Sequence, residues 1–485
     1  MSVISPPPLV SLPPPAVPVP FATRMLYGSG TVAFGVKDQG FNALLMLFYN
    51  QVVGLPAAWV GAAIMIAMVA DALFDPLLGQ YSDNFRSRLG RRHPFMYAAA
   101  LPIAISYLFL WSPPEMSQGG QFAWLVTVAI IVRFSISLYE IPSTALLAEF
   151  TSDYDERTKL VAARYFFGVL GGLTMTILTF QFFLKATPTH PVGQLNPDGY
   201  VTYAWVAAAV MLVSVLVSSL GTQKHMLTLP VLPPAPRFSL RVMLREILSI
   251  FVHRSYVSIL LASLFFAIAS GLNTALAVYF STYFWELSPS QIAGLASSGI
   301  AGIVLAMVVV LPLSARFGKK RSAMALFVLS MFSGVTPLFL RSIDLFPPNG
   351  DPLLLPILMV QYAFSVTCVF AGAILAVSMV ADVTDQIQLE TGQRSEGLLF
   401  SAVILVNKAV SGMGVFLSGL LLALVAFPAQ ARPGQVAPEV LSSLAITYIA
   451  AIMVTSTVAI ICLAFYPINR ADHAENIRKL GERAG

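Results

Sequence analysis

Between residues 24 and 466 the chain is a succession of apolar stretches, each long enough to cross a bilayer, joined by short polar segments. A helix rises about 1.5 Å per residue, so roughly 20 residues cover the ~30 Å of hydrocarbon. In lipid, only helices and closed barrels satisfy every backbone N–H and C=O. The pattern predicts about twelve helical spans, near 24 to 50, 57 to 82, 94 to 112, 121 to 149, 158 to 184, 200 to 221, 253 to 284, 290 to 313, 322 to 341, 353 to 382, 395 to 426 and 442 to 466. The first, seventh, tenth and eleventh are long enough to tilt or kink. Only 11% of residues are charged, against roughly 25% in an ordinary soluble domain. The expected class is an all-α, multi-pass membrane protein whose first partner is the lipid bilayer.

Basic residues collect in every second loop: Arg86, Arg88, Arg91 and Arg92; Arg157 and Lys159; Lys224, Arg237, Arg241, Arg245 and Arg254; Arg316, Lys319, Lys320 and Arg321; Arg394; and the tail from Arg470 to Arg483. The opposite loops hold only Lys185, Arg341 and Arg432. This is the positive-inside pattern, and it places both termini in the cytoplasm of a plasma (bacterial inner) membrane protein. The net charge of +5 therefore reports topology and argues against a nucleic-acid partner. Cys368 and Cys462 lie in apolar runs, which suits packing and gives neither a disulfide framework nor a metal site. Residues 1–22, crowded with proline and lacking a basic start, read as a disordered or polyproline tail rather than a cleavable signal.

The stretch "LTLPVLPPAPRFSLRVMLREI" reads as a cytoplasmic linker over 222–252, and around it the chain repeats itself weakly. "GQYSDNFRSRLGRRHP" follows the second span and "LSARFGKKRS" the eighth, while acidic segments end both the fourth and the tenth. Matching loops at matching places predict two pseudo-symmetric six-helix bundles, 23–221 and 253–466, facing each other across a central path. A cytoplasmic tail, 467–485, completes the chain.

Against this apolar background the intramembrane charges stand out. Asp71 and Asp75 lie four apart in the second span, on one helix face, where they can share one cation or one proton. Away from the span ends, Lys37, Asp38, Arg133, Glu140, Arg164 and Lys408 are the other charged groups within spans. Each is costly in lipid and is expected to line a polar path or to pair within a neutral interior. Arg133 and Glu140, seven apart on the fourth span, are nearly aligned and can pair or bracket a ligand. Asp83, Arg91 and Arg92 form a candidate cytoplasmic gate element, with Asp153, Asp155, Glu156, Arg157, Asp382, Asp385 and Glu396 as partner charges on the same side.

The phrases "DALFDPLLGQYSDNFRSRLGRRHPF", "EIPSTALLAEFTSDYDERTKLVAARYFFG" and "VADVTDQIQLETGQRSEG", the last leading to "VNKAVSG", strongly resemble the glycoside-pentoside-hexuronide:cation symporters of the major facilitator superfamily. A more distant kinship reaches the vertebrate sodium-dependent lysophospholipid carriers. The resemblance implies the twelve-helix fold of that superfamily and a division of labour among the charges. Asp71 and Asp75 would take the coupling cation, with Ser137 and Lys408 beside them. Asp38, Glu140 and Arg164 would hold a sugar, since carboxylate and guanidinium each meet vicinal hydroxyls through paired hydrogen bonds.

Departures from the family pattern shape the expectation. Phe74 stands where the best known member has an amide, which favours H+ over Na+ as the coupling ion. Thr144 and Ala373 replace aromatic stacking partners, and Arg133 is an addition that would favour an anionic or amphipathic substrate. The expected function is cation-coupled symport of a sugar, glycoside or hexuronide by alternating access, with a carrier of lipid-like solutes as the alternative. No cofactor is expected, and no metal beyond a transported Na+. The five histidines sit in or near loops and form no catalytic or metal-ligand cluster, so an enzyme is not expected. Each chain holds both halves of a pathway and is expected to work as a monomer.

Overall fold

The structure, a computed structural model, describes residues 19–151, 153–227, 254–391 and 412–467, together with residues 410, 475 and 478. The proline-rich tail to residue 18, the linker from 228 to 253, residues 392–409 and most of the C-terminal tail lie outside the described residues; Lys408, Arg394 and Glu396 are among these. Ten helices among the described residues are long and apolar enough to cross a membrane. They are Ala57–Asn84, His93–Leu110, Gln118–Phe150 and Tyr154–Leu178 (second to fifth spans) and Pro197–Met226 (sixth). In the other half come Arg254–Tyr279, Pro289–Phe317, Lys319–Ser342, Leu354–Thr391 and Pro438–Ala464, which are the seventh to tenth and the twelfth. The eleventh span is described over Gly412–Leu424.

Local chemistry sets many of the boundaries. Ser117, Asp153, Asn196 and Ser288 each cap a helix by accepting a bond from a backbone N–H in its first turn, and Ser288 and Gln291 complete a capping box. The tenth helix runs to Thr391, nine residues past the expected 382. Hydropathy falls there because the bilayer ends, but "VTDQIQLET" holds neither Gly nor Pro to break the backbone.

The first span departs most from a plain helix. It comprises Phe21–Ser29 and Val32–Gln39, then a π turn at Gly40–Leu44, one α-turn at Leu45–Leu47 and a second π turn at Phe48–Val53. The seventh span also ends in a π turn, Phe280–Phe284. The two endings superimpose by sequence position: "FYNQVVGL" against "FSTYFWEL". In each, the seventh residue adopts positive φ, +94° at Gly54 and +49° at Glu286. In each, the final leucine N–H donates to the carbonyl of the second residue, Leu55 to Tyr49 and Leu287 to Ser281, both at 2.8 Å.

Helix pairing repeats in the same way. The second and third spans pack on the fourth, as the eighth and ninth pack on the tenth; the third packs on the sixth as the ninth does on the twelfth. Gly90 and Gly318, the glycines of the two basic turns, both sit at positive φ, +92° and +80°, a conformation that glycine adopts without steric cost. On the eighth helix Val304, Met307, Val308 and Leu311 stay exposed, an apolar stripe suited to acyl chains.

First and fifth spans approach unusually closely. A Cβ at Gly35 would lie 1.9 Å from the Gly168 carbonyl oxygen and 2.6 Å from the Gly172 nitrogen, so the two backbones touch where side chains would otherwise separate them.

Candidate functional site

Packing of the second span on the fourth brings Asp71 against two residues one turn apart, Arg133 and Ser137. Arg133 donates to Asp71 Oδ2 from Nε at 3.1 Å and from Nη2 at 2.8 Å, and the Ser137 hydroxyl donates to Oδ1 at 2.6 Å. Asp71 and Arg133 are 3% and 4% exposed, so both charges are out of solvent and each carboxylate oxygen has a donor. A buried pair survives only with such complete satisfaction. The Phe41 ring lies 5.6 Å from the guanidinium carbon and closes its other side. Asp75 is half-buried one turn further along the same face.

Arg133 therefore departs from its expected place. Alignment along the fourth helix pointed it at Glu140 and the substrate; its ion pair is with Asp71 on the neighbouring helix. Periodicity reports neighbours on one helix, whereas this partner is set by the packing of two. Glu140 is half-buried one turn before Thr144. Arg164 donates to the Ser143 hydroxyl and to the Thr144 hydroxyl, both at 2.8 Å, and its guanidinium carbon lies 5.2 Å from the Tyr27 ring and 5.8 Å from Phe34. Asp38, with its side chain 58% exposed, is paired at 2.5 Å with the buried ammonium of Lys37 beside it. Lys408 lies outside the described residues.

The gate candidates separate into three groups. Arg92 binds Asp83 at 2.8 Å, and both Arg91 and Arg92 donate to Glu149 at the end of the fourth span. In the other half Lys319 holds Asp382 at 2.6 Å. The two clusters are equivalent: a basic residue two or fewer after the turn glycine, paired to an acid at the end of the fourth or tenth span. Asp153 caps the fifth helix through Glu156 N–H at 2.9 Å, and Arg157 donates to the Thr151 carbonyl at 2.9 Å, so these two order a loop. Asp155, Asp385 and Glu396 are side chains of which nothing is described.

The bonds that join the two halves lie at the opposite end. Tyr279 donates to Asn50 Oδ1 at 2.8 Å, and Tyr283 donates to Gln51 Oε1 at 3.0 Å. Gln51 also accepts from Ala431 N–H at 2.8 Å and donates to the Pro428 carbonyl at 3.0 Å, while Gln194 donates to the Leu287 carbonyl at 2.7 Å. Gln51 and Tyr283 occupy the same position in the repeated π-turn segment. Along the second and eleventh spans the halves stay close: a Cβ at Gly419 would meet the Ala57 oxygen at 2.4 Å and one at Gly412 the Met68 sulfur at 2.8 Å, one turn short of Asp71. At the basic-loop end the ion pairs of Arg91 and Arg92 with Asp83 and Glu149, and of Lys319 with Asp382, each stay within one half.

Sequence reasoning passed over Glu149, Asn50, Gln51, Tyr279 and Tyr283. Glu149 was visible as the acid ending the fourth span. The amides and phenols carried no signal beyond being polar in apolar runs, where an ordinary interhelical bond is the usual outcome.

Residues 26–470 match the MFS/sugar transport protein family. The chain is 24% identical to an isoprimeverose transporter of Lactiplantibacillus pentosus, across 94% of this chain and 90% of that protein. It is 22% identical to sodium-dependent lysophosphatidylcholine symporter 1 of Xenopus tropicalis, across 94% and 89%. Among solved structures, the xylose transporter XylE of E. coli in an inward open conformation aligns with a TM-score of 0.62 at 15% identity, covering 95% of this chain and 99% of that one. With its paired helical halves, its Asp-x-x-x-Asp-Pro element and a match along almost its whole length, the chain belongs to the MFS/sugar transport family of multi-pass membrane carriers, in the glycoside-pentoside-hexuronide:cation symporter branch.

Proposed function

We propose that the protein is a secondary active transporter that couples entry of a cation, H+ or Na+, to uptake of a sugar, glycoside or hexuronide by alternating access. The supporting observation is the polar constellation carried by the first, second, fourth and fifth spans of one half, which is bonded at one end to an equivalent set of helices. With basic loops in the cytoplasm, that closed end faces outward, and the arrangement corresponds to an inward-facing state. Asp71, Asp75 and Ser137 are assigned the cation side of the site, and Asp38, Glu140, Thr144 and Arg164 the substrate side; Lys408 is assigned to the cation side from the family resemblance alone. The isoprimeverose transporter supports a glycoside. Coupling is reciprocal, so each ligand tightens the other by the same factor.

The clusters Asp83–Arg92–Glu149 and Lys319–Asp382 then brace each half at the cytoplasmic end, and rocking of the halves exposes the site alternately. The carrier sits in the bacterial inner membrane as a monomer, with both termini in the cytoplasm. Counterflow in proteoliposomes with labelled sugars, glucuronides and lysolipids tests the substrate class. Exchange of a sugar or glucuronide is expected; exchange of lysolipid alone would replace the reading with the amphipath carrier, to which the lysophosphatidylcholine relative and the apolar Phe74 and Ala373 point. Asp75→Asn is expected to abolish accumulation against a gradient in folded protein, and full accumulation by that variant would overturn the coupled mechanism.

A further inference from the structure

An alkali cation held by two carboxylates on one helix face needs oxygen atoms that are free to turn towards it. At Asp71 three of the roughly four acceptor positions are already taken, two of them by a fixed positive charge. Both oxygens already accept hydrogen bonds, Oδ2 from two guanidinium nitrogens and Oδ1 from Ser137. The guanidinium is itself a monovalent cation, always charged and fixed in a planar fork. Its placement is as buried as that of its partner, and the Phe41 face packs against it. In charge, two carboxylates plus Arg133 sum to the same value as two carboxylates plus one bound sodium.

We propose that Arg133 is a tethered cation occupying the alkali-cation place at Asp71, so that sodium and lithium are not co-substrates of this carrier. This deepens the transport reading above and rests on it for the word co-substrate; of the two ions named there, the proton remains. The size of the exclusion follows from Coulomb's law. A second unit positive charge brought to about 4 Å from the guanidinium in a protein environment loses roughly a thousandfold in affinity. Displacing Arg133 instead would strand a buried guanidinium without its carboxylate, which is no easier.

The test uses the purified full-length protein and radiolabelled Na+ as probe, with no substrate needed. Wild type is expected to show no saturable Na+ binding. Arg133→Ala is expected to gain it, and Asp71→Asn in the Arg133→Ala background to lose it again, which locates the gained site. Arg133→Lys, which keeps the charge, is expected to stay silent. Saturable Na+ binding by wild type that Asp71→Asn removes would overturn the proposal, and that arm decides even if Arg133→Ala does not fold. Folded Arg133→Ala with no Na+ binding would overturn it equally. Failure of the transport reading shows separately, as absence of sugar or glucuronide counterflow under every cation.

Discussion

Gln51→Leu isolates the bonds that hold the two halves together. The side chain is 3% exposed and makes three bonds across the seam, to Pro428, Tyr283 and Ala431. Leucine keeps nearly the same volume and removes all three. In the closed state the loss is about 1 kcal/mol per bond, or about 3 kcal/mol in total. When the seam is parted water satisfies the same groups, so the substitution costs little there and the difference is a shift of roughly a hundredfold toward the parted state. Spin labels at Thr189→Cys and Ser290→Cys, in a background with Cys368 and Cys462 replaced, report the two populations by pulsed electron paramagnetic resonance. The longer distance is expected to grow from a minor to a comparable or dominant population. A ratio that changes by less than about threefold, under the worth of one bond, refutes the assignment of the seam to this network.

Four further substitutions probe the packing, the ion pairs and the backbone. Gly35→Val forces apart the backbones of the first and fifth spans and is expected to cost about 1–3 kcal/mol, read as a lower melting temperature in detergent. Arg92→Ala removes a buried guanidinium from the half-buried Glu149 and from Asp83 and is expected to cost about 3 kcal/mol, whereas Asp382→Asn, whose partner Lys319 is one-third exposed, is expected to cost about 1 kcal/mol or less. Glu286→Gly relieves a left-handed backbone at a side-chain-bearing residue and is expected to stabilise by up to about 1 kcal/mol in a thermal melt.

Hydropathy made nearly the whole fold legible, because lipid thickness imposes the length of each apolar run whatever the tertiary contacts. The matching Gly-Arg-Arg and Gly-Lys-Lys turns exposed the repeat for a different reason: both need a glycine at positive φ before the basic pair. The π turns of the first span were not legible. They insert residues into a helix through packing against the other half, and "FNALLMLFYNQVV" has the composition of any apolar helix. The site was half legible. Asp71, Asp75 and Ser137 could be grouped from spacing and resemblance, but the bond that organises them crosses between helices, and a single sequence carries no register between its second and fourth spans. The spacing of Arg133 and Glu140 is visible along one helix, whereas the ion pair of Arg133 with Asp71 is not.

Tyr283 meets Gln51, its own counterpart in the duplicated segment, so the contact sits on the pseudo-twofold axis. Two identical chains paired about such an axis would have to present one and the same residue to itself there. Fusion into a single polypeptide lifts that requirement: one copy now supplies a phenol donor and the other an amide that accepts from two directions while donating in a third. The joint has thereby become a polarised lock, a differentiation that a symmetric homodimer has no means to evolve.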